Sequence, residues 1–461
     1  MSHTESSRRM TRREFLVSGS AAAAAAVLTG PGAALATPRA PKAKKRLVLV
    51  GTGDRGTSMW GRSVVQAYSD IVEFVGLCDI NPGRAAYAQR YMGVNAPVYL
   101  AKDFDRMIRE TRPDVVIVTT KDSTHHEYII RGMELDCDII TEKPLTTDEQ
   151  KCQAILDAQA RTGRNVIVTF NYRYSPHREK MKEILMSGRI GRVTSVDFHW
   201  YLDVYHGADY FRRWHGKRES SGTLFVHKAT HHFDLLNWWL DSEPEEVFAY
   251  GALEYYGRNN PFRHTNCRGC PFKDQCKHYV DIMRNPRHVA LYVENEKYDG
   301  YLRDGCVWDE KIDIYDKMSA ILRYANGVQV SYSCTTYSPY EGYRIAFNGT
   351  KGRLEAWIKE RQPWQEPAYD EIRVTDNFGQ TELIRVPHSE GGHGGGDTRL
   401  KDKIFRHPDA PDPYHQAAGL RDGAMAILPG IAARISVETG RPVKIASLTS
   451  LKPEPVRPKV S

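Results

Sequence analysis

"KRLVLVGTGDRGTSMWGRSVVQ", residues 45 to 66, runs from an apolar, β-rich segment through closely spaced glycines into a pattern with helical spacing. A strand, a tight turn and a helix in that order present backbone N–H groups to an anion. Within Gly51-Thr52-Gly53-Asp54-Arg55-Gly56, the first glycine allows the turn, the second lets a pyrophosphate approach the backbone, and the third permits close helix packing. Glycines also punctuate ordinary loops, so context decides. A second apolar segment, "VEFVGLCDI" (72–80), ends in Asp79, near where a carboxylate binds the adenine ribose. Such an acid repels a 2′-phosphate and favours NAD, whereas Arg55 and Arg84 could each pair with that phosphate, so NADP stays open. "RPDVVIVTTKDSTHHEYIIRGMELDCDIITEKPLTT" (112–147) adds two strands with a helix between them. The alternation predicts a dinucleotide-binding Rossmann domain with a doubly wound parallel sheet over residues 38–165.

Beyond residue 165 the period changes. "KMSAILRYANGVQVSYSCTT" (317–336), "YRIAFNGTKGRLEAW" (343–357) and "DEIRVTDN" (370–377) alternate apolar and polar residues between Gly or Asn turns. They predict a mostly antiparallel open sheet in an α+β unit over residues 166–450, with an insertion at 258–310.

The glycine turn, His125 after "VIVTT" (116–120) and above all Glu142-Lys143-Pro144 resemble the Gfo/Idh/MocA family of glucose-fructose oxidoreductase and inositol dehydrogenase. Asn171, Arg173 and Pro176 resemble its N-x-R-x-x-P segment. The resemblance implies a tightly bound nicotinamide dinucleotide held by the glycine turn, Asp79, His125, Glu142, Lys143 and Asn171, with Lys143 reaching the nicotinamide and the reacting sugar hydroxyl. It also implies a homo-oligomer. From the residues alone, a lysine at the carboxyl edge of a strand sits where open α/β sheets bind ligands, against the bland alternative of an exposed loop charge.

"TLFVHKATHHFDLLNWWL" (223–240) corresponds to the family's glycine turn, aspartate and H-x-x-D helix start. The family's catalytic histidine maps onto His231, while His227 stands where the family has aspartate. On one helix, positions 227 and 231 project from one face with Lys228 beside them. Three readings stay open: a proton relay with His231 as base and His227 orienting it; half a zinc site completed by Asp203, Asp209 or His232; or satisfied core histidines, as Asp234 and "FDLLNWWL" are core.

A sugar needs rings for its apolar face and hydrogen-bonding groups for its hydroxyls. "NYRYSP" (171–176) and "HWYLDVYHGADYFRRWHG" (199–216) supply both, making Tyr172, Arg173, Tyr174, Tyr201, Arg213 and Trp214 candidate lining residues, with Lys228 beside them. Each could equally be packing. In "HSEGGHGGGDTRL" (388–400), His393 and Asp397 are further candidates on a glycine-rich loop.

Cys267, Cys270 and Cys276, with the distant Cys306, could surround a structural zinc. Disulfides, an iron–sulfur cluster and free thiols are the alternatives. The N-terminus decides the compartment. Thr11-Arg12-Arg13-Glu14-Phe15-Leu16 resembles a twin-arginine signal, followed by an alanine-rich segment and a small-residue site at Ala34-Leu35-Ala36. Residues 1–37 therefore read as a signal peptide addressed to the twin-arginine export machinery. Its apolar segment is shorter than the ~20 residues that span a bilayer, so no membrane anchor is expected after processing. The formal charge of +7 and the lack of long basic runs exclude a nucleic-acid partner.

These readings converge on an exported, periplasmic or secreted NAD(P)-dependent oxidoreductase that takes hydride from a sugar or glycoside hydroxyl. The rival is an NAD-dependent glycosidase, which oxidises C3 transiently, eliminates the substituent, adds water and re-reduces the ketone without net redox. A carbohydrate sensor would not need Lys143.

Overall fold

The computed structural model describes residues 43–460; the signal-peptide expectation lies outside them. Six strands form a parallel sheet: β1 (Lys45–Val50), β2 (Val72–Asp79), β3 (Val98–Leu100), β4 (Val115–Val118), β5 (Asp138–Thr141) and β6 (Val166–Val168), in the order β3-β2-β1-β4-β5-β6. Leu47, Val48, Leu49, Val116 and Ile117 are fully buried, because helices cover both faces and the strands can be apolar throughout. The order reverses between β1 and β4, which makes their carboxyl ends the place for a ligand. The turn after β1 enters a wide π-type turn at Gly56–Arg62 before the α-helix Ser63–Tyr68.

The second sheet has nine strands: β7 (Val193–Asp203), β8 (Pro244–Ala252), β9 (Lys317–Tyr324), β10 (Gln329–Ser338), β11 (Glu341–Gly349), β12 (Gly352–Arg361), β13 (Tyr369–Asp376), β14 (Thr381–Pro387) and β15 (Val443–Lys444). They are ordered β14-β13-β12-β11-β7-β10-β9-β8-β15, with β7 and β10 the one parallel pair among antiparallel neighbours. Strand β9 alternates strictly between exposed and buried residues, as expected of a sheet packed on one face only. The covered face meets helices Ala229–Leu240 and Leu420–Thr439. Every residue of the first is buried, and its large apolar side chains contribute about 1.5–3 kcal/mol each by leaving water. A Cβ on Gly430 would lie 2.1 Å from the Phe225 carbonyl oxygen, so glycine lets the second helix approach. The other face exposes Tyr250, Ile321 and Trp357. No helix among the described residues is long and apolar enough to cross a membrane.

The insertion is built from short turns. Asn285 caps the helix Pro286–Leu291 by accepting from His288 N–H, with proline in the first turn where its missing N–H costs nothing. A second short helix, Glu296–Asp299, follows.

Candidate active site between the two sheets

The glycine turn has the cradle that a dinucleotide requires. Gly51 has φ +88°, and a Cβ there would meet the Thr119 carbonyl at 2.6 Å. A Cβ on Gly56 would lie 2.2 Å from the Gly51 carbonyl oxygen. Asp79 sits buried at the end of β2, accepting from Thr52 N–H and hydroxyl at 2.6 and 2.9 Å and from Asn81 N–H at 2.8 Å. Arg84 pairs with it at 3.2 Å and with Asp299 of the insertion at 2.6 Å.

Arg55 is not free for a phosphate. Its guanidinium meets Glu142 at 2.9 Å and both oxygens of Asp397 at 3.2 Å. Glu142 also accepts from Trp60 Nε1 at 2.6 Å. Arg55 therefore ties Asp397, at the end of the glycine loop, to Glu142 beside the first sheet. Asn171 joins the same knot, donating to Asp397 at 2.6 Å and leaving its own Oδ1 buried without a partner. His125 likewise braces the backbone, with one ring nitrogen 2.8 Å from the Pro144 oxygen and the other 3.2 Å from that of Thr120. It thereby fixes the turn that carries Lys143.

Lys143 donates to the His227 carbonyl oxygen at 3.1 Å. Burial lowers its pKa to about 8, against the opposing pull of Asp122 and Glu142. Asp122, just past the carboxyl end of β4, lies 2.5 Å from His227 Nδ1. Burial pushes this carboxyl up, with the Lys143 ammonium opposing, and pushes His227 well below the usual imidazole range. Burial thus works against the charged form of each group, while the Lys143 ammonium works for the Asp122 carboxylate, and one short hydrogen bond joins the pair. Asp122 was not singled out from sequence, although the strand-edge reasoning applied to Lys143 covers it equally.

His227 and His231 do not share one helix face. Helix Leu224–His227 ends before Lys228, and the next begins at Ala229. His227 therefore turns towards Asp122 and His215, with ring centroids 4.2 Å apart for the two histidines. His231 stacks on Tyr172 at 4.0 Å and 11°. Its Nδ1 is buried without a partner, and burial drives its pKa well down, with Lys143 and Lys228 adding to the effect. Lys228 donates to the Tyr172 hydroxyl at 3.1 Å. His393, bound to Asp397 at 3.1 Å, closes the same wall 5.5 Å from the Tyr172 ring.

The remaining sugar candidates divide. Trp214 stacks on His215 at 3.6 Å beside the His227 group. Arg213 contacts His215 and pairs with Asp209 at 3.0 Å; Arg303 pairs with the same carboxylate at 2.7 Å. Against the upward push of burial, these arginines hold Asp209 far below the usual carboxylate range. Arg173 has no exposure and is tied to Asp234 at 2.5 Å and Asp422 at 2.9 Å. It is a core ion-pair residue, which corrects its reading as a sugar ligand. Tyr174 is buried beside it, among the charges of Asp234 and Asp412. Tyr201 lies on the open face of the second sheet against Tyr340, because its position in the strand alternation points it away from the helices.

The zinc expectations are also corrected. Cys267, Cys270, Cys276 and Cys306 line one small cavity with His264 and His278, and all eight cysteines are free. Among the described residues, however, no three His, Cys, Asp or Glu side chains are placed to hold a metal ion. A cation already faces the cluster, since Arg212 lies 3.3 Å from Cys267 Sγ. The His227 pair is engaged by Asp122 instead of by metal ligands.

Two family profiles match this chain: "Oxidoreductase family, NAD-binding Rossmann fold" over residues 45–170 and "Oxidoreductase family, C-terminal alpha/beta domain" over residues 182–445. The chain belongs to the Gfo/Idh/MocA oxidoreductase family. Within it, YteT of Bacillus subtilis is 40% identical over 428 residues, covering 88% of this chain and 99% of YteT. The inositol 2-dehydrogenase/D-chiro-inositol 3-dehydrogenase of Lactiplantibacillus plantarum is 25% identical over 40% of this chain, and the match spans about half of that relative, 49%. The WlbA dehydrogenase of Bordetella pertussis, solved with NADH and UDP-GlcNAcA, superposes with a TM-score of 0.60 at 18% identity, covering 87% of this chain and 98% of its own. At that identity the likeness is one of Gfo/Idh/MocA fold.

Proposed function

We propose that this oxidoreductase uses NAD to oxidise a secondary hydroxyl of a sugar or glycoside, with Lys143 as the base. The observation that carries the reading is a buried amine, held at the His227 carbonyl with its pKa brought by burial to about 8, whose charge helps depress the pKa of His231, itself buried with Nδ1 unpartnered. Bound NAD would supply the hydride acceptor. The hydroxyl proton must leave with the hydride, and among these groups the Lys143 amine is the stronger base at neutral pH. His231, held flat by Tyr172, would orient that hydroxyl by hydrogen bonding. Of the two candidates for the base, Lys143 thus takes the role that the relay reading gives His231. Gly51, Gly53, Gly56 and Asp79 would hold the dinucleotide.

Arg84 is already shared between two carboxylates, so a 2′-phosphate would add charge where Asp79 and Asp299 sit. NADP is therefore expected to bind at least about 10²-fold more weakly than NAD. Titration of nucleotide-free protein with each dinucleotide checks this, and comparable affinities would refute it.

The glycosidase reading keeps support from one observation. Asp122 and His227 form a second buried acid–base pair beside Lys143, which simple dehydrogenation does not need and an elimination does. Aryl glycosides separate the two: aglycon release without accumulating NADH favours the glycosidase, and NADH without release favours the dehydrogenase. In either case Asp122→Asn is expected to move the rise in kcat/KM to lower pH, because the Asp122 charge helps hold the Lys143 pKa up. An unchanged pH profile would remove Asp122 from the site.

Twin-arginine export belongs to this proposal and is supported by Arg12-Arg13 and the alanine-rich segment after them. Self-assembly through the open face of the second sheet does too, supported by the exposed Tyr250, Ile321 and Trp357. Cell fractionation and solution mass measurement are the respective tests.

A further inference from the structure

The cysteine insertion does not hang at the periphery. Its second half, Pro286–Arg303, lies over the dinucleotide turn. The Tyr292 hydroxyl accepts from the Asp54 N–H at 2.8 Å, within the row of amides that in this fold faces the pyrophosphate. That leaves the tyrosine proton free to donate. Arg287 pairs with the Asp54 carboxylate at 2.5 Å and reaches the Asp54 carbonyl oxygen at 3.3 Å. Asn81 Nδ2 donates to the Asn295 carbonyl oxygen at 2.9 Å, and Asp299 holds Arg84. At the far end Arg303 is anchored to Asp209. The approach is close enough that a Cβ on Gly83 would sit 1.8 Å from Asn295 Oδ1. Tyr292 is 8% exposed. Two donors on this segment, Arg287 Nε and Arg303 Nε, are buried without partners, which is costly unless an acceptor visits.

We propose that Pro286–Arg303 is a clasp over the dinucleotide groove, with Arg287 and Tyr292 as cofactor-binding residues, so that the nucleotide leaves only when this segment lifts. The clasp requires the NAD-binding fold but is independent of which substrate is oxidised. Its chemistry suits the pyrophosphate of a dinucleotide: the Arg287 guanidinium and the Tyr292 phenol, whose oxygen already takes up the Asp54 amide, supply the donors. Because the ties named above between the segment and the dinucleotide turn are ion pairs and hydrogen bonds, it can open and close. The outcome is a cofactor retained from one turnover to the next.

The test uses the full-length protein and no sugar. NADH is bound, an excess of NAD is mixed in, and the loss of NADH fluorescence gives the dissociation rate. Arg287→Ala removes a proposed cofactor contact; the Asn295→Ala/Asp299→Ala pair removes Arg84's clasp partner together with an asparagine that packs on Gly83, without touching the cofactor. Both are expected to speed release at least about tenfold, with thermal midpoints near wild type. Hydrogen exchange of residues 286–303 in the wild-type protein is expected to slow when NADH is added. Release rates within twofold of wild type in both variants would overturn the clasp. So would unchanged exchange, which decides the matter even if a variant fails to fold. A protein that binds NADH behind the clasp yet oxidises no sugar would sink the substrate reading alone.

Discussion

Lys143→Met is expected to lower kcat for hydride transfer by about 10³-fold, within the range that one positioned proton acceptor supplies. Methionine keeps the length and apolar stem of the side chain, so the cis Lys143–Pro144 turn and its His125 brace have no reason to move. The dissociation constant for NADH should therefore change by less than about threefold, which separates lost chemistry from lost cofactor. Lys143→Arg should not rescue turnover, because a guanidinium stays protonated throughout the working range. The pH profile has a fixed sign. Below the Lys143 pKa of about 8 the side chain is an ammonium and cannot accept the hydroxyl proton; above it the free amine can. In the oxidative direction kcat/KM should rise through about pH 8 and then level off. A Lys143→Met enzyme within tenfold of wild type would transfer the base role to another residue.

Arg173→Met is expected to act on stability and only secondarily on catalysis. The guanidinium is fully buried between Asp234 and Asp422, and Asp422 is shared with Arg457 at 2.6 Å. Removing the arginine leaves two buried carboxylates with one cation, a loss of about 3–5 kcal/mol. In a chain of this size that corresponds to a fall in Tm of about 3–6 °C, measured by scanning calorimetry. The Arg173→Met/Asp234→Leu double variant should recover part of it, because the uncompensated charge goes with its partner. An unchanged Tm with a raised KM for the sugar would restore Arg173 as a substrate ligand.

The difference between what the chain discloses and what it conceals follows sequence separation. The glycine turn, Asp79 and Lys143 are legible because strand, turn and carboxyl edge are local patterns, and each lies within a few residues of the strand that positions it. Arg173 misleads because an arginine near a ligand site is ordinarily solvent-facing; its two acidic partners lie 61 and 249 positions away. His227 and His231 misleads differently. Their spacing is helical, yet the chain breaks at Lys228 and sends one ring to Asp122 and the other to Tyr172. In the insertion, the cysteines draw attention to its first half, while the residues that reach the dinucleotide turn are Arg287, Tyr292, Asn295 and Asp299, whose partners lie more than 200 positions earlier. No local pattern marks them.

Arg55 has a consequence for the order of events at the ribosome. The strands of the dinucleotide-binding half are complete by Val168, yet Arg55 must wait for Asp397, 342 positions downstream. A nascent chain can thus lay down the floor of the groove early, while one of its walls arrives only with the last sixth of the polypeptide. Loading with nucleotide becomes an event that follows translation, and a prematurely terminated product would carry the fingerprint glycines without the means to keep what they bind.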